Sequence, residues 1–331
     1  MESRRARRGR RARPSRRRSL LYTALATVAV LGATAGGTVY VKAQAHSGEG
    51  AVSSSSAEPS ASASESADGG VSVESVAAPE VDYDALLAGA MESVTVPDTA
   101  KVSVAVLDVD SGDSATYGSA AFDTASIVKV DILATLLLQA QDAGRQLTAT
   151  EKSYATAMIE NSDNASASEL WRTIGKAEGL DAANERFGLT GTEGGDDMLW
   201  GLTQTTAADQ LRLLQQVFGD DSELSEASQT YMRGLMKQIA ADQHWGVSAA
   251  ADGSSWALKN GWLARSTTGL WDVNSIGQVT SGGRTYLVAV LSKGNATQAK
   301  GISLVEAAAQ AAVSTFADDS ASASASASAT E

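Results

Sequence analysis

The most constraining segment of the chain is an apolar stretch that begins at Ser126. Its sequence runs SIVKVDILATLLLQAQDAG. The apolar residues recur at helical spacing and share one broad face: Ile127, Val128, Ile132, Leu133, Leu136 and Leu137. This pattern predicts a helix that buries that face against other parts of a folded domain.

Two polar residues open this helix on one side. Ser126 lies in the predicted first turn, where free backbone N–H groups and the positive end of the helix dipole favour an anion. Lys129 follows three residues later, so the two Cβ atoms are expected about 5–6 Å apart. A desolvated lysine can lose its proton and then activate a serine hydroxyl. For an isolated pair, a capping serine with a surface lysine is the simpler interpretation.

A second polar motif, Ser162-Asp163-Asn164, lies in the loop between two predicted helices. Asp163 or Asn164 can serve as the N-cap of the helix that follows. The same loop presents a hydroxyl and an amide side by side, as a proton carrier and an acceptor for a substrate amide would require. Both interpretations stay open on these residues alone.

The third motif lies in a predicted strand. The segment ALKNGWLAR is short and is bounded by turn signals at 252–253 and 265–266. Lys259 would project from this strand, either into a functional site or as a strand-end lysine of no functional consequence.

In this order the three motifs resemble those of the class A β-lactamase and penicillin-binding-protein superfamily of serine hydrolases. The resemblance extends from about Val81 to Phe316. An N-terminal helix, a hairpin, an all-helical stretch, three strands and a C-terminal helix follow in that family's order. The resemblance implies an α+β, β-lactamase/transpeptidase-like fold, with a five-stranded antiparallel sheet, flanking helices and an all-helical insertion.

The resemblance also implies a set of site residues. Four would be catalytic: Ser126, Lys129, Ser162 and Lys259. Four would bind substrate: Asn164, Asn260, Gly261 and Trp262.

Within this set, the resemblance implies a role for each group. Ser126 would be the nucleophile, Lys129 its base or the base's partner, and Ser162 the carrier of a proton to the leaving nitrogen. Lys259 would supply positive potential for a substrate carboxylate, and Asn164 would bind the substrate's side-chain amide. The backbone N–H groups of Ser126 and Trp262 would form the oxyanion hole.

Two features depart from the family pattern. Asn260 stands where that family usually has a threonine or serine, which changes the geometry of the expected carboxylate contact. The loop before TTAADQLRLL is short and lacks the Glu-x-x-x-Asn pattern that holds a deacylating water in class A β-lactamases. Its only acids are Glu193, Asp196 and Asp197, which the neighbouring glycines indicate to be solvated loop residues.

The composition argues against other catalytic chemistries. The chain has no cysteine, which excludes a thiol nucleophile, a disulfide and a thiolate metal site. Its two histidines, His46 and His244, are too few for a typical zinc hydrolase. Asp108, Asp110 and Asp113 surround a predicted hairpin turn and lack the glutamate of a calcium loop. We therefore expect neither a metal nor a cofactor.

The N-terminal segments predict export. Residues 1–19 contain ten arginines, and residues 20–41 carry no charge. The uncharged span would be about 33 Å long as a helix, enough to cross a bilayer with the arginines inside. Cleavage after Ala45 is the alternative, since Ala43-Gln44-Ala45 resembles a signal-peptidase site. The following domain is predicted to be extracytoplasmic, either anchored by residues 20–41 or secreted.

Two Ser/Ala-rich segments, 42–80 and 318–331, flank the predicted hydrolase domain at 81–317 and lack apolar periodicity, which predicts disorder. Beyond Ala45 the chain has 15 basic and 38 acidic residues, a net charge of −23, which argues against nucleic acid as a partner. We expect a monomer that meets the membrane only through its N-terminal segment.

The sequence therefore predicts an exported serine hydrolase that acts through an acyl-enzyme. Its partner would be a small molecule such as a β-lactam, or a peptidoglycan-type peptide. The alternative is a β-lactam- or peptidoglycan-binding module that has the same fold and turns over slowly or not at all.

Overall fold

The computed structural model describes residues 81–316, and a five-stranded antiparallel sheet forms the centre of this part of the chain. The strands in chain order are β1 (Lys101–Asp108), β2 (Ser114–Tyr117), β3 (Phe122–Asp123), β4 (Gln204–Thr205), β5 (Trp256–Ala264), β6 (Trp271–Ser281) and β7 (Arg284–Asn295). The central sheet has the order β2-β1-β7-β6-β5, so β5 forms one edge. Strands β3 and β4 form a separate antiparallel pair.

Eight α-helices surround the sheet within the described range. They are α1 (Tyr83–Met91), α2 (Val128–Asp142), α3 (Ala149–Glu160), α4 (Asn164–Thr173), α5 (Lys176–Phe187), α6 (Ala207–Phe218), α7 (Glu226–Met236) and α8 (Gln298–Ser314). Helices α2 to α7 all lie between β3 and β5 in the chain, which is the predicted helical insertion. The predicted fold class is confirmed.

The sheet is covered on both faces, and strand alternation divides its side chains between two cores. On β7, Leu287, Ala289 and Leu291 belong to the core on the side of the insertion helices, where α6 contacts the strand, whereas Val288 and Val290 belong to the core that contains α1 and α8. Burial on both sides explains why these strands are continuous apolar runs rather than alternating ones.

Helix α2 differs from its prediction in two ways. A short 3-10 turn over Ala125–Ile127 carries Ser126, and the α-helix begins only at Val128. The helix is also buried on nearly all sides rather than on one face, since even Lys129, Asp131 and Thr135 are buried. The reason is its position among the other insertion helices, since α2 contacts α3, α4, α5 and α7.

The acids near the first hairpin lie in the β1–β2 turn, as predicted. The Asp108 backbone N–H donates to the Asp113 carbonyl over 2.9 Å, and the Asp108 carboxylate accepts from the Asp110 N–H. Asp108 also pairs with Arg284. These contacts stabilise the hairpin turn, which agrees with the interpretation of these acids as turn residues.

The predictions for residues 1–19, 20–41, 42–80 and 318–331 lie outside the described residues. Between residues 81 and 316, none of the helices has the length and apolar character needed to span a membrane.

Candidate active site

Lys129 lies at the centre of a cluster that joins the first two motifs. Its Nζ lies 2.9 Å from Ser126 Oγ, 3.0 Å from Ser162 Oγ, 2.7 Å from the Ser162 carbonyl oxygen and 2.8 Å from Asn164 Oδ1. The carbonyl and the amide oxygen can only accept, so they take two N–H groups. The remaining position of the nitrogen faces the hydroxyls of Ser126 and Ser162. In a neutral amine that position is a lone pair, which can accept the Ser126 proton.

The loop between α3 and α4 places Ser162 and Asn164 through an N-cap and an unusual backbone conformation. The Asp163 carboxylate accepts from the Ser166 N–H at 2.7 Å and caps α4, which begins at Asn164. Ser162 has a φ of 54°, in the left-handed region that non-glycine residues rarely adopt. The two interpretations of this motif are therefore compatible: Asp163 caps the helix while its neighbours face Lys129.

Strand β5 brings the second lysine to the same cluster. Lys259 Nζ lies 3.1 Å from Ser162 Oγ and donates to the Asn260 carbonyl at 2.8 Å. The Ser162 hydroxyl thus contacts both amines. A hydroxyl between two nitrogens can receive a proton from one side and pass it on.

Burial changes the protonation of both lysines. Both side chains are fully buried. Burial lowers the pKa of Lys129 to about 7, although the Asp163 carboxylate acts in the opposite direction. Burial, aided by repulsion from Lys129, holds the pKa of Lys259 well below its usual range. A neutral Lys129 is therefore well populated at neutral pH.

We expect acylation of Ser126 to accelerate with pH through an inflection near 7. Lys129 can take the serine proton only when it is neutral, and below its pKa of about 7 the neutral fraction falls tenfold per pH unit. The charged groups facing it are Asp163 and Lys259. The measurement is the second-order rate of adduct formation from about pH 5 to 9. A flat profile over this range would contradict the role of Lys129 as base.

Gly261 allows the edge strand β5 to lie directly against the turn that carries Ser126. A Cβ atom at position 261 would lie 2.7 Å from the Thr124 carbonyl oxygen, 2.8 Å from Ser126 N and 2.9 Å from Ile127 N. Real Cβ atoms essentially never approach backbone atoms this closely. Glycine is therefore required here by the packing of two backbones.

The backbone N–H of Trp262 points to the free edge of β5. Thr280 N donates to the Ser255 carbonyl at this end of the β5–β6 ladder, and hydrogen-bonded positions alternate along an antiparallel pair. Trp262 is seven residues after Ser255, so its N–H faces away from β6. The Asn260 carbonyl, two residues earlier on the strand, also faces away from β6, because it accepts a hydrogen bond from Lys259 Nζ. The Trp262 N–H is therefore not used in the β5–β6 ladder, and the oxyanion hole that the resemblance implies stays a prediction.

Replacing Gly261 by alanine should reduce acylation about 10²-fold, because the added methyl group displaces Ser126 from its partners. The matched control is Gly234→Ala in α7, where a Cβ meets nothing within 4 Å. The measurement is the acylation rate of both variants, with melting curves to verify folding. Equal rates in the two variants would contradict the close packing of β5 on the turn.

Asn260 does not reach the cluster with its side chain. Side chains alternate along a strand, so Asn260 faces the opposite side of the sheet from Lys259. Its amide nitrogen donates to the carbonyls of Gln243 at 2.8 Å and Trp245 at 3.0 Å, and the side chain is fully buried. This position differs from the expectation that Asn260 binds substrate.

A cleft of about 430 Å³ opens beside Ser126. Asn164 and Trp262, two of the predicted substrate-binding residues, line it. Glu193, Asp196 and Asp197 are exposed and are not among its lining residues.

Trp200 is one of several lining residues to which the sequence assigned no role in the site. Its ring centre lies 5.0 Å from Lys129 Nζ, and its indole nitrogen donates to Ser168 Oγ at 3.2 Å. An aromatic ring, not a carboxylate, therefore covers Lys129 from the side of the 188–203 loop. No local pattern marks this residue, because its loop has no periodicity and the contact is remote in sequence.

Comparisons with known structures agree with this fold. PBP-A is 19% identical, with a TM-score of 0.62 over 73% of this chain and 99% of that one. The TLA-1 extended-spectrum β-lactamase is 14% identical, with a TM-score of 0.61 over 71% and 98%. A class A β-lactamase from Bacteroides cellulosilyticus is 14% identical, with a TM-score of 0.60 over 72% and 99%. At these identities the likeness establishes the fold.

No curated protein matches the chain. The family model described as the beta-lactamase enzyme family matches residues 137–316, more than half of the chain. Ser126 and Lys129 precede the matched range, while Ser162 and Lys259 fall within it. The chain therefore belongs to the beta-lactamase enzyme family.

Proposed function

We propose that this protein is an exported serine hydrolase that acts through an acyl-enzyme on a β-lactam or a cell-wall-type peptide. One observation carries the proposal: Ser126 Oγ lies 2.9 Å from the nitrogen of a fully buried lysine. Such a pair supplies both the nucleophile and its base.

The contacts support a complete proton path for acylation. Neutral Lys129 takes the Ser126 proton as Oγ bonds to the substrate carbonyl carbon, and the Ser126 and Trp262 amides stabilise the oxyanion. Collapse of the intermediate breaks the carbon–nitrogen bond. Ser162 gives its proton to the leaving nitrogen and regains one from Lys129, 3.0 Å away. Lys129 ends neutral, so the protons balance.

A time course of intact mass with penicillin G tests the proposal. An adduct that forms on Ser126 and clears supports a hydrolase. A variant of PBP-A has been captured as an acyl-enzyme with penicillin G, which makes this ligand a reasonable first probe. The absence of both an adduct and hydrolysed product with β-lactams and activated peptide esters would overturn the proposal.

The second candidate is an acylating binding module that turns over slowly. The specific observation in its favour is the cleft itself, whose described lining residues include no carboxylate, with Trp200 over Lys129. In the same time course, an adduct that persists would favour this candidate.

Export is the part of the proposal that rests on the N-terminal sequence. The ten arginines and the uncharged span that follows would hold the N terminus inside and the folded domain outside. Protease added to intact protoplasts should therefore digest a membrane-held domain, and after cleavage the domain should appear in the medium. A domain that stays with the cells and resists the protease would contradict export.

A further inference from the structure

Lys129 is shielded from water although its polar neighbours are not. Its side chain is fully buried, whereas Ser126 is partly exposed and Asn164 is exposed. Both neighbours lie within 2.9 Å of Lys129 Nζ, and both line the cleft. Water in the cleft therefore comes within one residue of the amine, and another group must close that path.

The indole ring of Trp200 lies where such a group is needed. The ring lines the cleft, and its centre lies 5.0 Å from Lys129 Nζ. The polar contacts of the amine come from Ser126, Ser162 and Asn164. Trp200 adds an apolar wall to this polar cluster.

Contacts from helix α4 hold the ring in this position. The Trp200 indole nitrogen donates to Ser168 Oγ at 3.2 Å. Three residues earlier in the loop, the Asp197 carbonyl accepts from the indole nitrogen of the fully buried Trp171 at 2.7 Å. The helix that begins with Asn164 therefore also fixes the cover over the lysine.

The ring has two opposing effects on Lys129. Its face attracts an ammonium group, which favours the protonated form. It also keeps water away, and removing an ammonium from water costs more than the ring attraction returns. Burial is the largest cause of the lowered pKa of Lys129. The charged groups that face the amine are Asp163, at the start of α4, and Lys259, on β5.

We infer that Trp200 is a positioning residue for acylation, whose ring closes the cleft side of Lys129 against water and keeps the amine neutral, ready to take the Ser126 proton. This inference rests on the proposed function, because it concerns the base of that reaction.

The first test is the pH profile of acylation by penicillin G in Trp200→Ala. Opening the cover should hydrate the ammonium form and move the inflection upward by at least about one pH unit. Acylation should then be about fivefold slower than in the wild type at pH 7, and the two rates should converge by about pH 10. A purely structural defect would instead slow acylation at every pH.

Three further variants test the cause. Trp200→Phe keeps an aromatic cover and should retain the wild-type inflection. Trp200→Gln fills more space than alanine but admits water, so it should shift the inflection upward even if the alanine variant does not fold. Leu199→Ala removes an apolar side chain from the same loop and cleft, but this leucine is already 54% exposed, so the inflection should stay in place.

A second measurement needs no substrate. In protein labelled with ¹³C at lysine Cε, the NMR titration midpoint of Lys129 reports its protonation directly, with the signal assigned by its loss in Lys129→Arg. The midpoint should rise in Trp200→Gln and Trp200→Ala and stay unchanged in Trp200→Phe and Leu199→Ala.

The two levels fail differently. Inflections and midpoints that stay unchanged or fall in Trp200→Ala and Trp200→Gln would overturn this inference and leave the serine hydrolase intact. A shift of equal size in Leu199→Ala would also overturn it, because loosening of the loop would then be the cause. Neither an adduct nor hydrolysed product in the wild type, with β-lactams or activated peptide esters, would overturn the proposed function and this inference together.

Discussion

Replacing Ser126 by alanine should abolish covalent labelling by acyl-serine probes, with no adduct detectable at times when the wild type is fully labelled. Alanine has no atom that can form the ester, and losing the nucleophile of such a unit typically removes nearly all of the catalysed rate. The Ser126 hydroxyl contacts Lys129 Nζ and is only partly buried, so the fold should tolerate its loss. We expect melting temperatures within a few degrees.

The matched control is Ser303→Ala, which removes an exposed hydroxyl on α8 that bonds only to its own helix at Ala299. This variant should label at the wild-type rate. Peptide mapping of the wild-type adduct should place the added mass on Ser126. Labelling that survives in Ser126→Ala, at a different residue, would remove Ser126 from the mechanism.

Most of the fold could be predicted because its elements carry strong local patterns. The hairpin around Ser111-Gly112 and the strand around Lys259 lie where turn residues indicate, and the helix at 83–91 lies where the family resemblance implies one. The extent of burial of α2 could not be predicted in the same way. Burial depends on how many elements pack around a helix, which local spacing does not show. Polar residues such as Asp131 normally indicate a solvent-exposed side of a helix, but here they are buried.

The site could be predicted only where short-range spacing along the chain brings its residues together. Ser126, Lys129 and Ser162 do meet, because helical spacing joins the first two and the α3–α4 loop adds the third. Trp200 could not be predicted, since its contact with Lys129 is set by the path of an irregular loop. The side-chain direction of Asn260, in contrast, follows from strand alternation next to Lys259 and was available from the sequence.

Deacylation should be much slower than acylation with penicillins. Hydrolysis of the ester requires a group that holds and deprotonates water. The described residues lining the cleft include no carboxylate, and the 188–203 loop presents the Trp200 ring to Lys129. General-base assistance is typically worth about 10²–10⁴-fold, so its absence should leave an acyl-enzyme that accumulates. The expected time course is a burst of one product per enzyme followed by a slow steady rate.

Supplying a carboxylate where Trp200 lies tests the cause of the slow step. Trp200→Glu should accelerate deacylation and slow acylation at neutral pH, because the new charge would favour protonated Lys129. Trp200→Gln opens similar space without a base and serves as the control. Equal acceleration in both variants would mean that access of water limits the reaction. Rapid steady turnover in the wild type, without a burst or a trapped adduct, would instead assign the water-activating role to Lys129 or to a loop acid such as Glu193.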